Sequence, residues 1–391
     1  MIKISVILFF VVSVIFSTIY TPQAILPTLK QVFNISISET NLLLSGMLFV
    51  LMISTPFYAP LSNRWSKKNI MVIATFFLFL SVVISAIASN FYMLLFSRVM
   101  QGIFVPGITA LMLSYVQEIY PKTHRGFGMG IYMAATSFGA VVGRLLAGWI
   151  TYIYSWKEAF AAFAILLLVA LIAMIFGLPS SEKNSNSIKK KINKENIIKY
   201  LSNRYIISIL TIPTVVFFSF MAVTTYVTYH LADTPFNFNT SQIGNIFLVL
   251  LVGVFVSPVA GRYSDIIGRV KVLFIGVASL IIGILLTLTQ SYIFIILGIG
   301  FVTAGMFSVQ SVTPTYLGDM VPHDRNTVAV LYQTFFYLGG ALGTLIPTLA
   351  WDFDGYSGVA FFCIILIMIG VIPLIYVNIA KKDNKFEERN I

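Results

Sequence analysis

Two arginines, Arg98 and Arg144, interrupt stretches at 91–116 and 128–150 that are otherwise free of charge. A charge in hydrocarbon is costly and is usually kept for a purpose. A guanidinium presents five N–H donors in a flat fork, a shape that grips a carboxylate or phosphate. No Asp or Glu falls in the middle of any apolar stretch, so neither arginine has a counter-ion at its own depth. The chemistry expected of the pair is capture of an anionic or carboxylate-bearing compound. The structural alternative places Arg98 on backbone carbonyls near a kink such as Pro106, and lets Arg144 reach outward along its own stem.

The other polar candidates in apolar stretches are Gln23, after Thr21-Pro22, Gln101, one turn after Arg98, Tyr226, near Tyr229 and His230, and Gln310. Each competes with ordinary hydrogen bonding between helices. The three His are scattered, so no metal constellation is expected. No G-x-x-x-x-G-K-[ST] pattern occurs, so ATP is not the expected energy source. Neither a cofactor nor an enzymatic activity is expected.

These residues imply a bilayer around them. The chain has 391 residues, 58% hydrophobic and 10% charged, against about 45–50% and 25% in soluble domains. That excess argues against a soluble enzyme, a disordered chain and a nucleic-acid-binding domain. Apolar runs fall at 4–26, 42–61, 70–89, 91–116, 128–150 and 159–178, then at 204–230, 242–260, 272–290, 292–316, 328–350 and 357–379. The first run is too long for a signal-peptide core and is read as a retained helix. The expected fold is an all-α membrane protein of twelve transmembrane helices in two six-helix pseudo-repeats. Residues 1–178 form one bundle, 179–203 a polar, basic, loosely ordered linker, and 204–391 the second bundle.

Charge placement agrees with twelve spans. With the N-terminus in the cytoplasm, all but four of the 25 Lys and Arg fall on the inner side; Lys30 and Lys157 fall outside, and Arg98 and Arg144 within spans. This is the bias that orients membrane proteins. The halves also match. Thr55-Pro56 recurs as Ser257-Pro258, and Arg125, Tyr132, Gly139 and Gly143 recur as Arg325, Tyr332, Gly339 and Gly343. Duplicated bundles of this kind are common in transporters. The single Cys363 excludes an intrachain disulfide.

At this point the chain resembles the major facilitator superfamily over essentially its full length. The family pattern G-x-L-a-D-R-x-G-R-K reads Ala59-Pro60-Leu61-Ser62-Asn63-Arg64-Trp65-Ser66-Lys67-Lys68 after span 2, with both glycines and the acid replaced. Its second copy, Gly261 to Lys271, keeps Asp265, Gly268 and Arg269. R-x-x-Q-G reads Arg98-Val99-Met100-Gln101-Gly102. The exporter pattern of span 5 reads Gly130, Gly139, Gly143, Arg144 and Ala147-Gly148, with Arg where the family has Pro, similar to a bacterial efflux-type subgroup with Gly-Arg there.

The resemblance implies a conformational latch at Asp265, Gly268 and Arg269, with Asn63 and Arg64 in the weaker first copy. It implies a cavity lined by spans 1, 4, 7 and 10, which favours Gln23, Gln101, Tyr226 and Gln310. It pairs span 5 with span 8 and span 11 with span 2. The small residues Gly139, Gly143, Gly148, Gly339 and Gly343 would then line seams on which one bundle rocks. Glu118 and Asp319, at the inner ends of spans 4 and 10, are expected as structural partners of Arg125, Lys122 or Arg325. The activity implied is secondary active transport by alternating access. An exporter of a small amphipathic or anionic drug or metabolite by proton antiport comes first. An importer of a sugar or organic anion comes second, and a non-transporting sensor third. The expected partners are a small-molecule substrate, protons and the lipid bilayer, with no nucleic acid; the expected form is a monomer in the bacterial inner membrane, both termini cytoplasmic.

Overall fold

The computed structural model describes residues 2–62, 64–121, 124–179 and 194–382, which contain helices and no strand. Among the described residues, twelve helices are long and apolar enough to cross a membrane. They are α1 (Ile2–Phe33), α2 (Ile37–Tyr58), α3 (Lys67–Ala86), α4 (Phe91–Ile119), α5 (Arg125–Ile153), α6 (Trp156–Gly177), α7 (Arg204–Ala232), α8 (Thr240–Ile267), α9 (Arg269–Thr287), α10 (Tyr292–Met320), α11 (Thr327–Leu345) and α12 (Thr348–Ile379).

Local chemistry explains where several of them start. Ser36 and Glu39 form a reciprocal capping box at the head of α2, and Asn239 and Gln242 form another at the head of α8. Ser66 and Asn90 each accept a backbone N–H from the third residue of the helix that follows. Proline and glycine explain the interruptions. Thr21–Ile25, containing Pro22, winds as a 3₁₀ turn inside α1. The helix of α4 is interrupted at Val105, between Phe104 and Pro106. In α12, Gly355 takes φ +53° beside Asp354 and bends the chain before its long run.

The apolar faces are arranged for lipid. Ile165, Val169, Ile172 and Phe176 of α6 are exposed at helical spacing, while Phe160, Phe163 and Leu167 point inward. Phe361, Ile365, Met368 and Ile372 repeat the pattern in α12. In water such surfaces would aggregate; in a bilayer they are solvated.

Contacts sort the chain into two compact units, Met1–Lys189 with Thr228–Leu248, and Lys190–Val227 with Val249–Ile391. In the first, α5 lies on α1. A Cβ on Gly139 or Gly143 would overlap the backbone of Ser13 or Ser17. Ser13 and Ser17 donate from Oγ to the carbonyls of Ala135 (3.2 Å) and Gly139 (2.9 Å). In the second, Gly339 and Gly343 of α11 lie equally close to Thr214 and Phe218 of α7.

This corrects the partners expected of the glycines. Gly139 and Gly143 serve the contact of α1 with α5, not one of span 5 with span 8, and Gly339 and Gly343 serve that of α7 with α11. A stripe at i, i+4 presents one face, and that face is taken by the backbone opposite. Gly148 does meet α8: a Cβ there would overlap the Thr240 carbonyl. The linker also differs from expectation. Lys194–Ser202 forms a helix; positions 180–193 lie outside the described residues.

Candidate functional site

The site gathers around residues 18–23 of α1. Pro22 has no N–H, so it cannot bond the Thr18 carbonyl one turn back. The 3₁₀ turn that follows disturbs the next bond as well. Arg98 fills this gap. Its Nη1 donates to Thr18 O at 2.9 Å and its Nη2 to Ile19 O at 2.7 Å. Its Nε donates to Leu43 O of α2 at 3.0 Å, and Nη1 also bonds Gln101 Oε1. Gln101 Nε2 continues to Ser85 Oγ of α3 at 2.9 Å. Arg98 is fully buried and is hydrogen-bonded through all three of its nitrogens. The structural alternative thus describes this residue, with the break at Pro22 supplying the carbonyls in place of Pro106. Gln101 is likewise occupied.

Arg144 lies on α5, which packs against α1, and is also buried, with 1% of its surface exposed. Its Nε donates to Gln23 Oε1 at 2.6 Å and its Nη1 to Ala140 O at 2.6 Å. Its Cζ lies 4.1 Å from the Tyr20 ring centroid and 5.0 Å from that of Phe247. A guanidinium stacks well on such faces. Nη2 has no hydrogen-bond partner among the described residues, and neither buried arginine has an ion pair among them. Arg144 does not reach outward along its stem. It is a buried cation with spare donors and, among the described residues, no ion pair, which is a costly arrangement in a low-dielectric interior.

Residues 228–248 complete this surface within the first unit. Tyr229 donates from its hydroxyl to Asn41 Oδ1 of α2 at 2.9 Å. Trp149 Nε1 donates to Asn245 Oδ1 at 2.8 Å. Asn41 Nδ2 is buried and has no hydrogen-bond partner among the described residues. Sequence reading missed Tyr20, Phe247, Asn41 and Trp149. Aromatic and amide residues are frequent in this chain, and nothing in their spacing marks these four; only Pro22 signalled the break.

The remaining candidates lie elsewhere. Tyr226 is buried in the second unit, where its hydroxyl bonds the Thr344 carbonyl (3.1 Å) and Thr348 Oγ1, and its ring packs on Trp351. Gln310 is partly exposed, and its carbonyl accepts from Tyr332 at 3.4 Å. The equivalent bond in the first half runs from Tyr132 to the Thr109 carbonyl at 3.3 Å.

At the loop motifs, Arg269 bridges Asp319 of α10 (2.6 Å) and Asp265 (3.6 Å). Gly268 takes φ +99°, a turn that an L side chain rarely adopts. In the first half Lys67 pairs with Glu118 of α4. Glu118 and Asp319 are thus held by the cations that open α3 and α9; Lys122, one of the partners expected further along the chain, lies outside the described residues. Arg64 is exposed and forms no ion pair among the described residues, and Asn63 lies outside them.

The family model described as Major Facilitator Superfamily matches residues 8–234 and 229–390. The chain belongs to that superfamily. An "Uncharacterized transporter" of Buchnera aphidicola is 29% identical over 360 residues, covering 91% of this chain and 87% of the relative. The "Inner membrane transport protein YnfM" of Escherichia coli is 26% identical, covering 91% of this chain and 86% of its own. Among solved structures, a bacterial homologue of the human lysosomal transporter Spinster, inward-facing and occupied, aligns with TM-score 0.76 at 15% identity, over 97% of this chain and 96% of that one. The human organic anion transporter MFSD10 aligns with TM-score 0.71 at 15% identity, over 95% and 99%. These two likenesses are of fold. The protein is a multi-pass membrane transporter with twelve spans.

Proposed function

We propose that this transporter exports a small organic anion, or an amphipathic compound bearing a carboxylate, by alternating access coupled to proton antiport. The observation that carries the substrate class is Arg144: buried, against two aromatic rings, with spare N–H donors and no counter-ion among the described residues. A ligand carboxylate on its free edge supplies the missing charge, and Tyr20 and Phe247 offer flat apolar surface to the rest of the molecule. Arg98 is assigned to positioning, because its nitrogens are already bonded to protein. The export direction and the proton coupling rest on the exporter-type pattern from Gly130 to Gly148. In this reading the protein is a monomer in the bacterial inner membrane, both termini and the 179–203 linker cytoplasmic. Asp265, Gly268 and Arg269 then form the latch that reorganises in each cycle.

The test is a thermal-shift screen of purified protein against carboxylates, zwitterions and neutral compounds, followed by flux of the best hit in everted membrane vesicles. Binding stabilises the folded state by mass action. An acidic compound should raise Tm in the native protein and not in Arg144→Ala. Everted vesicles should accumulate it when the lumen is acid and stop when a protonophore is added. Loss of a charge-assisted hydrogen bond is worth about 1.5–3 kcal/mol, so affinity should fall roughly 10- to 150-fold. Hits confined to neutral compounds would overturn the substrate class. Accumulation only by right-side-out vesicles would favour the import reading.

A further inference from the structure

The two halves differ in how a gap between helices is filled. With Thr55-Pro56 set on Ser257-Pro258, Tyr58 falls on Ala260 and Ala74 on Gly276. Tyr58 occupies the space among α2, α3 and α4. Its hydroxyl donates to the Ile103 carbonyl of α4 at 2.8 Å. Its ring lies where a Cβ on Gly107 would fall, beside the Ala74 methyl. Ala260 carries no ring, and between α8 and α9 the protein has a groove of about 320 Å³ that Ala260 lines.

The groove lies within the second unit. Phe255, Val259, Tyr263 and Ile267, spaced four apart, form one edge along α8, with Ile275 of α9 across from them and Ser308 of α10 also lining it. Ser308 donates its hydroxyl to the Ala304 carbonyl of its own helix at 2.7 Å, so the lining asks for no polar partner there. Phe255, Val259, Tyr263 and Ile275 are exposed, so the mouth opens sideways, where lipid lies. From Phe255 to Ile267 the edge rises about 18 Å. Half of a bilayer's hydrocarbon core is about 15 Å thick. The groove therefore has the length of one acyl chain lying along the helix within one leaflet.

Charge at one end of the groove selects the headgroup. Arg262 and Lys271 lie on either side of the α8–α9 loop that closes the end at Ile267. Both are exposed and form no ion pair among the described residues. Lys271 shares a helix face with Ile275. The neighbouring acids, Asp265 and Asp319, are engaged by Arg269. Two spare cations at the end of an apolar slot match a lipid phosphate at the membrane interface. We infer that this groove binds one acyl chain of an anionic phospholipid, with the lipid phosphate on Lys271 and Arg262. The bound chain fills the space that the first half fills with its own Tyr58.

The experiment uses the full chain in vesicles containing phosphatidylglycerol with a photoreactive diazirine on its acyl chain. After irradiation, peptide mass spectrometry locates the adducts. Those on the groove, residues 255–275, should exceed several-fold those on the exposed strip of α6 at Ile165, Val169, Ile172 and Phe176. Ala260→Tyr puts the first-half residue into the slot and should bring groove adducts down to the α6 level, with α6 itself unchanged. In the native protein the phosphatidylglycerol probe should outlabel a phosphatidylcholine probe of the same chain by roughly fivefold or more, the effect of one cation on an anionic headgroup. Replacing Arg262 and Lys271 together by Gln leaves the slot open and should abolish that excess, which keeps the test decisive if Ala260→Tyr lowers the folded yield. Groove labelling no greater than that of α6 would overturn the inference, the face then being covered by bulk lipid or a second copy. So would equal labelling by the two probes in the native protein.

Discussion

Truncating Arg98 to Ala would leave the carbonyls of Thr18, Ile19 and Leu43 without their donor in a dry interior. Each buried polar group left unsatisfied costs about 1–3 kcal/mol. The expected result is a lower Tm in detergent and a smaller folded yield, measured by fluorescence-detected size exclusion on heating. Arg144→Ala should behave differently. It removes a buried charge that has no counter-ion among the described residues, so ligand-free Tm should hold or rise, while the ligand-induced shift disappears. Sequence reading set the two arginines apart from every other residue by their depth in apolar runs. It gave them one shared role because it could not see what each touches. A free carbonyl is a backbone property, and only Pro22 announced it.

Pro22 acts at the level of the element. Pro22→Ala restores an N–H, so the Thr18 carbonyl can close an ordinary helical bond and compete with Arg98. The 3₁₀ turn Thr21–Ile25 would then tend to rewind, turning Gln23 away from Arg144. Amide exchange across residues 18–25 should slow, and affinity for the proposed anionic substrate should fall, with the folded yield intact. Exchange mass spectrometry on the purified variant reads the first effect and a binding isotherm the second. At this scale the sequence was informative about lengths, caps and repeats. It was silent about which helix each small-residue face would meet. Gly139 and Gly143 share a face by spacing alone, but choosing α1 over α8 depends on the Ser13 and Ser17 backbone opposite. The helix Lys194–Ser202 was hidden for a related reason: a short polar segment has no strong periodicity, and its docking depends on Asp324, far along the chain.

For the whole molecule, the first effect to expect with pH concerns Asp324. Burial alone would raise its carboxyl, but the hydrogen bonds from Thr327, Asn196 and Tyr200 outweigh that and hold it below the usual range. A depressed carboxylate contributes stability that is complete above the unfolded value, about 3.9, and lost as pH falls through the folded one. Docking of the linker helix should therefore be constant from pH 5 to 8 and weaken below about pH 4. Limited proteolysis after Lys199 across that range checks it, and Asp324→Asn should be cut faster already at neutral pH. The twelve spans, the duplication and the superfamily were legible because they repeat over hundreds of residues. The membership of 228–248 in the first unit was not, since hydropathy carries no record of which bundle a segment leans on.

The bonds of Arg98 also bear on how the chain is made. An arginine midway along a helix resists partitioning from the translocon into lipid, by about 2.5–3.5 kcal/mol on insertion scales. Every group that Arg98 binds in other helices (Thr18, Ile19 and Leu43 directly, Ser85 through Gln101) precedes it in the polypeptide. As the ribosome delivers α4, its receptors have already been synthesised, and the penalty is met on arrival. Arg144 finds Tyr20 and Gln23 in the same way, but Phe247 emerges only after the linker has been translated.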